Sequence, residues 1–210
     1  MAGHKTSKAV MLAAGTLMAV PAASPAAVIY SGIQNLTTSS ADPGNVDGLI
    51  EVNVDSGPSV DLQLFLGGRI AFVSAPGGVP GDATNSYILP LAPGQFVGPA
   101  DASWKSQLGL LAGVDTPPTA AFGPWAPPHQ SGLFGFAFLG SVSDTHYGWA
   151  RANVEFNLPN GSSSATLIDW AYEDQADTPI QAPVPEPSTL SLLALGAAGL
   201  AALRARRRQA

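Results

Sequence analysis

Two of the three histidines, His129 and His146, fall in the body of the chain, and His146 stands two residues from Asp144 with Ser141 and Ser143 close by. These are the residue types of a hydrolytic triad, in which a carboxylate orients an imidazole that takes a proton from serine. A triad is assembled by geometry across a fold, so closeness in sequence does not build one. A strand-edge histidine hydrogen-bonded near a turn is the commoner use of such a residue. Neither a Gly-x-Ser-x-Gly elbow nor a His-Glu-x-x-His pair accompanies it. On this pattern no catalytic residue is assigned.

Glu155, Asp169 and Glu173 offer a second chemistry. Glycoside cleavage needs two carboxyl groups flanking a sugar bond, and Trp149 would serve as a platform for the sugar. A secreted carbohydrate-active hydrolase is therefore the enzymatic alternative. Any acidic β domain supplies such pairs, and aromatic residues are more often core, so a non-enzymatic role is preferred.

Glu51, Asn53 and Asp55 place oxygen ligands at alternate positions, as calcium loops do, with Asp42, Asn45 and Asp47 just upstream. Glutamate in the first place and Val52 and Val54 between the ligands depart from that pattern, and the same alternation is what a half-buried strand gives. They are weak calcium candidates, and no cofactor is required. The chain has no cysteine, which excludes a disulfide framework, a thiolate nucleophile and a Cys-ligated metal. Asn35-Leu-Thr37 and Asn160-Gly-Ser162 match the glycosylation sequon and carry little weight.

These residues would be positioned by strands. Leu62, Leu64 and Leu66 alternate with polar or outward residues, as do Phe134, Phe136 and Phe138. Between Tyr147 and Leu158, Ala150, Ala152, Val154 and Phe156 face one way, while Trp149, Arg151, Asn153 and Glu155 form a wet face. From Thr166 to Glu173, Ile168, Trp170 and Tyr172 share a side. Weaker strands are expected at 27–31, 49–54, 69–73 and 86–91, separated by Gly and Pro clusters. Asn160-Gly161 marks a turn, in a loop longer than two residues. A short helix is expected over 102–111, where Trp104, Leu108 and Leu111 recur at helical spacing. The proline-rich stretch 116–129, with Trp125 in it, reads as an excursion over one end of the domain. The expectation is an all-β fold, an antiparallel β-sandwich of jelly-roll type.

Both ends carry addresses. Residues 1–26 read as a secretory signal peptide: Lys5 and Lys8, a short apolar run, then small residues, with cleavage after Ala26. Export of this kind calls on the Sec translocon and signal peptidase. The domain is expected over 27–173 and a polar tether over 174–184. The tail begins at Pro185-Glu186-Pro187, continues as an uncharged run from Ser188 to Leu203, and ends in Arg204, Arg206, Arg207 and Arg208. Such a run partitions into a bilayer as a single hydrophobic helix, and the arginines hold its end on the cytoplasmic side. Leu190 to Leu203 is near the lower limit of length for a spanning helix.

This tail, residues 185–208, resembles the PEP-CTERM sorting signal of Gram-negative bacteria, whose three parts are the Pro-Glu-Pro motif, a short hydrophobic helix and a basic end. The resemblance implies recognition by an exosortase-type membrane protease and transient anchoring in the inner membrane before release to the cell surface or exterior. It also implies an association with exopolysaccharide and biofilm matrix. A second block, Phe134-Gly-Phe, Thr145 to Arg151, Ala165 to Glu173 and Thr178-Pro-Ile180, is similar to one that recurs in the ectodomains of such proteins and implies an extracytoplasmic all-β domain.

Removal of both ends leaves Arg69, Lys105 and Arg151 as the only cations against fifteen carboxylates when Glu186 is retained, a net charge near −12. A surface of that sign repels nucleic acid.

Overall fold

The computed structural model describes residues 26–40, 46–67, 69–82, 87–101, 104–105, 107–115, 120–127, 130–140, 143–157 and 162–184. The helices expected in the signal peptide and in the tail lie outside these residues, as do Asp42, Asn45, His129, Ser141 and Asn160. Every described element is a strand: β1 (Val28–Tyr30), β2 (Leu36–Ser40), β3 (Val46–Val52), β4 (Leu62–Gly67), β5 (Ile70–Ser74), β6 (Val79–Pro80), β7 (Phe96–Val97), β8 (Trp104–Lys105), β9 (Leu108–Val114), β10 (Ala121–Phe122), β11 (Ser131–Leu139), β12 (Thr145–Asn157), β13 (Ser162–Glu173) and β14 (Ile180–Gln181).

The long strands form two antiparallel five-stranded sheets. In one, β11, β12 and β13 run side by side, and β1 and β2 lie end to end along the free edge of β13. The other has the order β10-β9-β5-β4-β3. Consecutive strands are mostly sheet neighbours: β3–β4–β5 and β11–β12–β13 are meanders. That order differs from the alternation between sheets that a jelly roll requires. Asn157 pairs with Ser162, and the turn expected at Asn160-Gly161 lies outside the described residues.

Alternation fixes which faces meet. Leu62, Leu64 and Leu66 of β4 and Phe134, Phe136 and Phe138 of β11 point into one buried cluster, together with Val73, Leu111, Ala150, Val154 and Leu167. The Ser163 hydroxyl donates to the Gly67 carbonyl at 2.7 Å, a buried hydrogen bond from one sheet to the other. The described part of the proline-rich stretch contributes Trp125 to this core. Trp125 is fully buried, its indole N–H donates to the Ile88 carbonyl at 3.0 Å, and its ring meets Phe134 edge-on.

Within 102–111, where a helix is expected, the described residues 104–105 and 108–111 are strand. Backbone pairing decides the matter: β8 pairs with β6, and β9 is held between β5 and β10. Gly109 lets this strand lie close to Ile88, where a Cβ would come within 2.5 Å of the isoleucine side chain. Tertiary pairing of this kind overrides local spacing. Residues 86–91, expected as a strand, make only an isolated bridge from Tyr87 to Leu110.

A second correction concerns β12. Its outward side is wet only from Arg151 onward, at Arg151, Asn153 and Glu155, because Tyr147 and Trp149 are buried in a second cluster with Leu91, Val97, Ala137, Ala171, Ile180 and Ala182. The β7–β14 ribbon supplies Val97 and Ile180 to that cover. Sheet faces covered on both sides carry unbroken apolar runs, which explains why Phe134 to Phe138 are all buried.

Candidate functional site

The position of Asp169 depends on one extra residue. Arg151 pairs with Asp169 and Ala152 with Leu167, so Ile168 is a bulge in β13. A bulge advances the side-chain phase by one. Before it, Ala165 and Leu167 face the shared core; after it, Trp170 and Tyr172 do, and Asp169 turns outward onto the face of Arg151. Ile168 therefore does not share a side with Trp170 and Tyr172 as periodicity alone indicates. The Ile168 carbonyl is not orphaned, since it accepts from the Gln34 and Asn35 amides at 2.8 and 3.1 Å, where the edge row bends between β1 and β2.

Asp169 is 0% exposed and its two oxygens are fully engaged. Arg151 Nε donates to Oδ1 at 2.9 Å and Arg151 Nη2 to Oδ2, a bidentate pair. The Tyr30 hydroxyl also donates to Oδ2, at 2.7 Å. That bond, with burial, pushes the Tyr30 hydroxyl above its ordinary range, and Asp169 holds the Arg151 guanidinium charged still more firmly. Tyr30 leans on Trp149 with ring centroids 6.1 Å apart. A carboxylate so occupied joins the edge strand to the sheet. Its three accepted hydrogen bonds all come from Arg151 and Tyr30.

The other two carboxylates of the glycoside reading lie elsewhere. Glu155 lines an open cleft of about 430 Å³ with Ser39, Ser40, Phe156 and Ser162 to Ser164. It lies four positions along β12 from Arg151, about 13 Å along the strand. Glu173 is buried at the opposite end of β13, where its side chain accepts from the Gln175 amide at 3.4 Å. The three do not line one cleft. Trp149, the expected platform, is buried under the β7–β14 ribbon.

His146 sits at that same end, in a cleft with Asp55, Asp144, Tyr172 and Asp174. Its ring stacks on Phe138 and meets Tyr172 edge-on. Nδ1 lies 2.9 Å from the Glu173 carbonyl and Nε2 lies 3.5 Å from Asp144 Oδ2. Both ring nitrogens thus face oxygens, and a triad would need one of them directed at a serine. Ser143 lines the neighbouring cleft and turns the chain, with φ of 64° and its amide bonded to the Gly140 carbonyl at 2.9 Å.

The calcium candidates are also partnered. Glu51 accepts from Gln63 across β3 and β4 at 2.8 Å. Asn53 donates to the Gly57 carbonyl, and Asp55 accepts from the Gly57 amide at 2.6 Å, so both close the loop after β3. Among the described residues no group of three or more His, Cys, Asp or Glu is placed to hold a metal ion. The same loop holds a carboxylate that the sequence reading passed over. Asp61 is buried and accepts from the Val54 amide at 2.8 Å, and burial pushes its carboxyl above the usual range.

Residues 174–184, expected as a polar tether, are in part folded onto the domain. Ile180 pairs with Val97 and Gln181 with Phe96. Ile180 and Ala182 are each 1% exposed. Ala182 donates to the Gln95 carbonyl at 2.8 Å and accepts from the Gly94 amide at 3.1 Å. The described chain leaves this clamp at Pro183 and Val184, directly before Pro185-Glu186-Pro187. A two-residue strand carries no periodic signal, and burial of Ile180 and Ala182 is what holds it in place.

A family model for the PEP-CTERM protein-sorting motif matches residues 183–208. No curated protein and no solved structure matches the chain. Among the described residues no helix is long and apolar enough to cross a membrane, and the tail lies outside them. The chain carries a PEP-CTERM sorting signal, which implies export, membrane-anchored sorting and processing by an exosortase-type membrane protease. The functional site legible in this protein is its tail, presented from the end of β14.

Proposed function

We propose that this chain, with a sorting signal joined to a folded β domain, is the precursor of a non-enzymatic surface or extracellular-matrix protein. The observation that carries the reading is the motif match at 183–208. On this reading the signal peptide is removed after Ala26, the tail holds the precursor in the inner membrane with its arginines inside, and the exosortase-type protease frees or displays the domain. The two sheets are read as a β-sandwich built from two meanders. Exopolysaccharide of the biofilm matrix is the partner class suggested by the resemblance of the tail and of the block around β11 to β13. The strongly acidic mature domain suits a hydrated matrix and repels nucleic acid.

Fractionation of the native host with intact-mass measurement, with and without residues 183–210, tests the proposal. The expected result is a mature species starting at Ala27 at the surface or outside the cell, and its loss from that fraction when the tail is removed. Normal surface delivery without the tail would overturn it. Polysaccharide cleavage by the purified mature protein would replace the non-enzymatic reading with the hydrolase.

A further inference from the structure

The clamp leaves little chain between the folded domain and the sorting signal. Among the described residues Ala182 is the last bonded to the domain backbone, and Pro185 follows it by three residues, which span no more than about 11 Å. The groups holding Ala182 are the carbonyl of Gln95 and the amide of Gly94, and Gln181 Nε2 adds a bond to the Gly94 carbonyl at 2.9 Å. Upstream, Pro179 lies against Gly98, where a Cβ would come within 2.5 Å of the proline ring. β14 is therefore fixed by side-chain burial, by its ladder and by a backbone approach that only glycine permits.

A protein that grips Pro185-Glu186-Pro187 is far wider than 11 Å, so it meets the surface from which the motif emerges. That surface is apolar for an acidic domain. Phe96, beside Gln181 in the ladder, is 59% exposed, and Val184 is 61% exposed. Beside them a cleft of about 370 Å³ is lined by Phe96, Gly98, Pro99, Ala100 and Pro179, with Gln95 and Asp101 at its polar side. Exposed aromatic surface beside a shallow apolar cleft is the composition of an interface core.

We infer that the β7–β14 ribbon, with Phe96 at its centre, is the surface on which the exosortase-type membrane protease docks while it reads the sorting motif, with β14 in place. The inference rests on the sorting function proposed above. It makes the folded domain part of the recognised substrate, not a passenger behind a flexible tether.

Because the chain has no cysteine, the ribbon can be locked without competing thiols. Val97 and Ile180 are antiparallel partners, a spacing that suits a disulfide in an oxidising compartment. The test follows processing of the full chain in the native host by pulse-chase and intact mass. The variants are Phe96→Asp, Val97→Cys with Ile180→Cys, and Glu186→Ala as a control for the motif. The expected result is processing slowed about fivefold or more by Phe96→Asp, with the purified domain's melting temperature unchanged, and wild-type processing of the locked pair.

Processing of Phe96→Asp at the wild-type rate would overturn the docking surface. Failure of the oxidised locked pair, rescued by reductant, would overturn it differently, by showing that β14 must peel away before the motif is read. If Glu186→Ala is processed normally, the sorting reading itself fails and the interface falls with it. If Glu186→Ala accumulates as precursor while Phe96→Asp does not, only the interface fails.

Discussion

The Ala27 backbone nitrogen donates to Asp174 Oδ1 at 2.7 Å, and the Asp174 amide returns a bond to the Ala27 carbonyl at 3.1 Å. These two residues, 147 apart in sequence, close the end of β1 onto the end of β13. If the signal peptide is removed after Ala26 as proposed, that nitrogen becomes an ammonium group facing a carboxylate.

In the protein beginning at Ala27, Asp174→Asn is expected to lower stability by less than about 1 kcal/mol, since both groups are exposed to water. An ammonium that gains a carboxylate partner has its folded pKa raised. Its contribution is present below the unfolded value of about 8 and is lost as pH rises through the folded value. Denaturant unfolding of both proteins at pH 6 and pH 10 checks this, with the difference vanishing at pH 10 and shrinking in high salt.

The bidentate pair of Arg151 and Asp169 gives a larger effect. Arg151→Ala strands a fully buried carboxylate on a single tyrosine hydroxyl, and about 2–3 kcal/mol of stability should be lost, somewhat less than the roughly 3–5 kcal/mol for breaking a fully buried pair because Arg151 is 43% exposed. Tyr30→Phe should cost about 1 kcal/mol. Replacing both charges, as Arg151→Met with Asp169→Leu, should cost less than Arg151→Ala alone. A double-mutant cycle by urea unfolding decides it.

Asp61 controls part of the acid response. Its folded pKa lies above the unfolded value of 3.8 because burial penalises the charged form. The sign is opposite to that of a salt-bridged carboxylate: the native state gains stability from Asp61 as pH falls from the folded pKa toward the unfolded one. Asp61→Asn keeps an acceptor for the Val54 amide and removes the titration. Its unfolding free energy between pH 3 and 7 is expected to lack the stabilising increment that wild type shows on acidification.

Trp125 closes the shared core, and its indole N–H satisfies the Ile88 carbonyl. Trp125→Ala is expected to cost about 3–5 kcal/mol, enough to unfold a marginal domain. Trp125→Phe keeps most of the apolar volume and isolates the cost of the lost hydrogen bond. Thermal unfolding measured by near-ultraviolet circular dichroism would rank the three proteins.

The sequence makes plain those features that are local or strictly periodic. Leu62, Leu64 and Leu66, and Phe134, Phe136 and Phe138, alternate for long enough to declare their faces, and the tail is a linear signal that needs no fold to be read. The bulge at Ile168 leaves no periodic trace, yet it decides that Asp169 meets Arg151 and not the core. The ribbon of β7 and β14 is two residues deep and visible only through the burial of Ile180 and Val97. Without it, Trp149 looks exposed and residues 174–184 look free. His146 and Asp144 are neighbours as the sequence places them, but the Glu173 carbonyl on another strand takes the nitrogen that a catalytic role would have used.

The placement of β1 and β2 on β13 sets the order of events during passage across a membrane. A chain that emerges amino end first brings out β1 and β2 more than 120 residues before the strand that completes them. Pairings of such separation are slow to form and leave apolar edges open meanwhile. The first sheet therefore closes only after nearly the whole domain has crossed, when the next segment to follow is the sorting tail. Completion of the first sheet and arrival of the signal are thus nearly simultaneous.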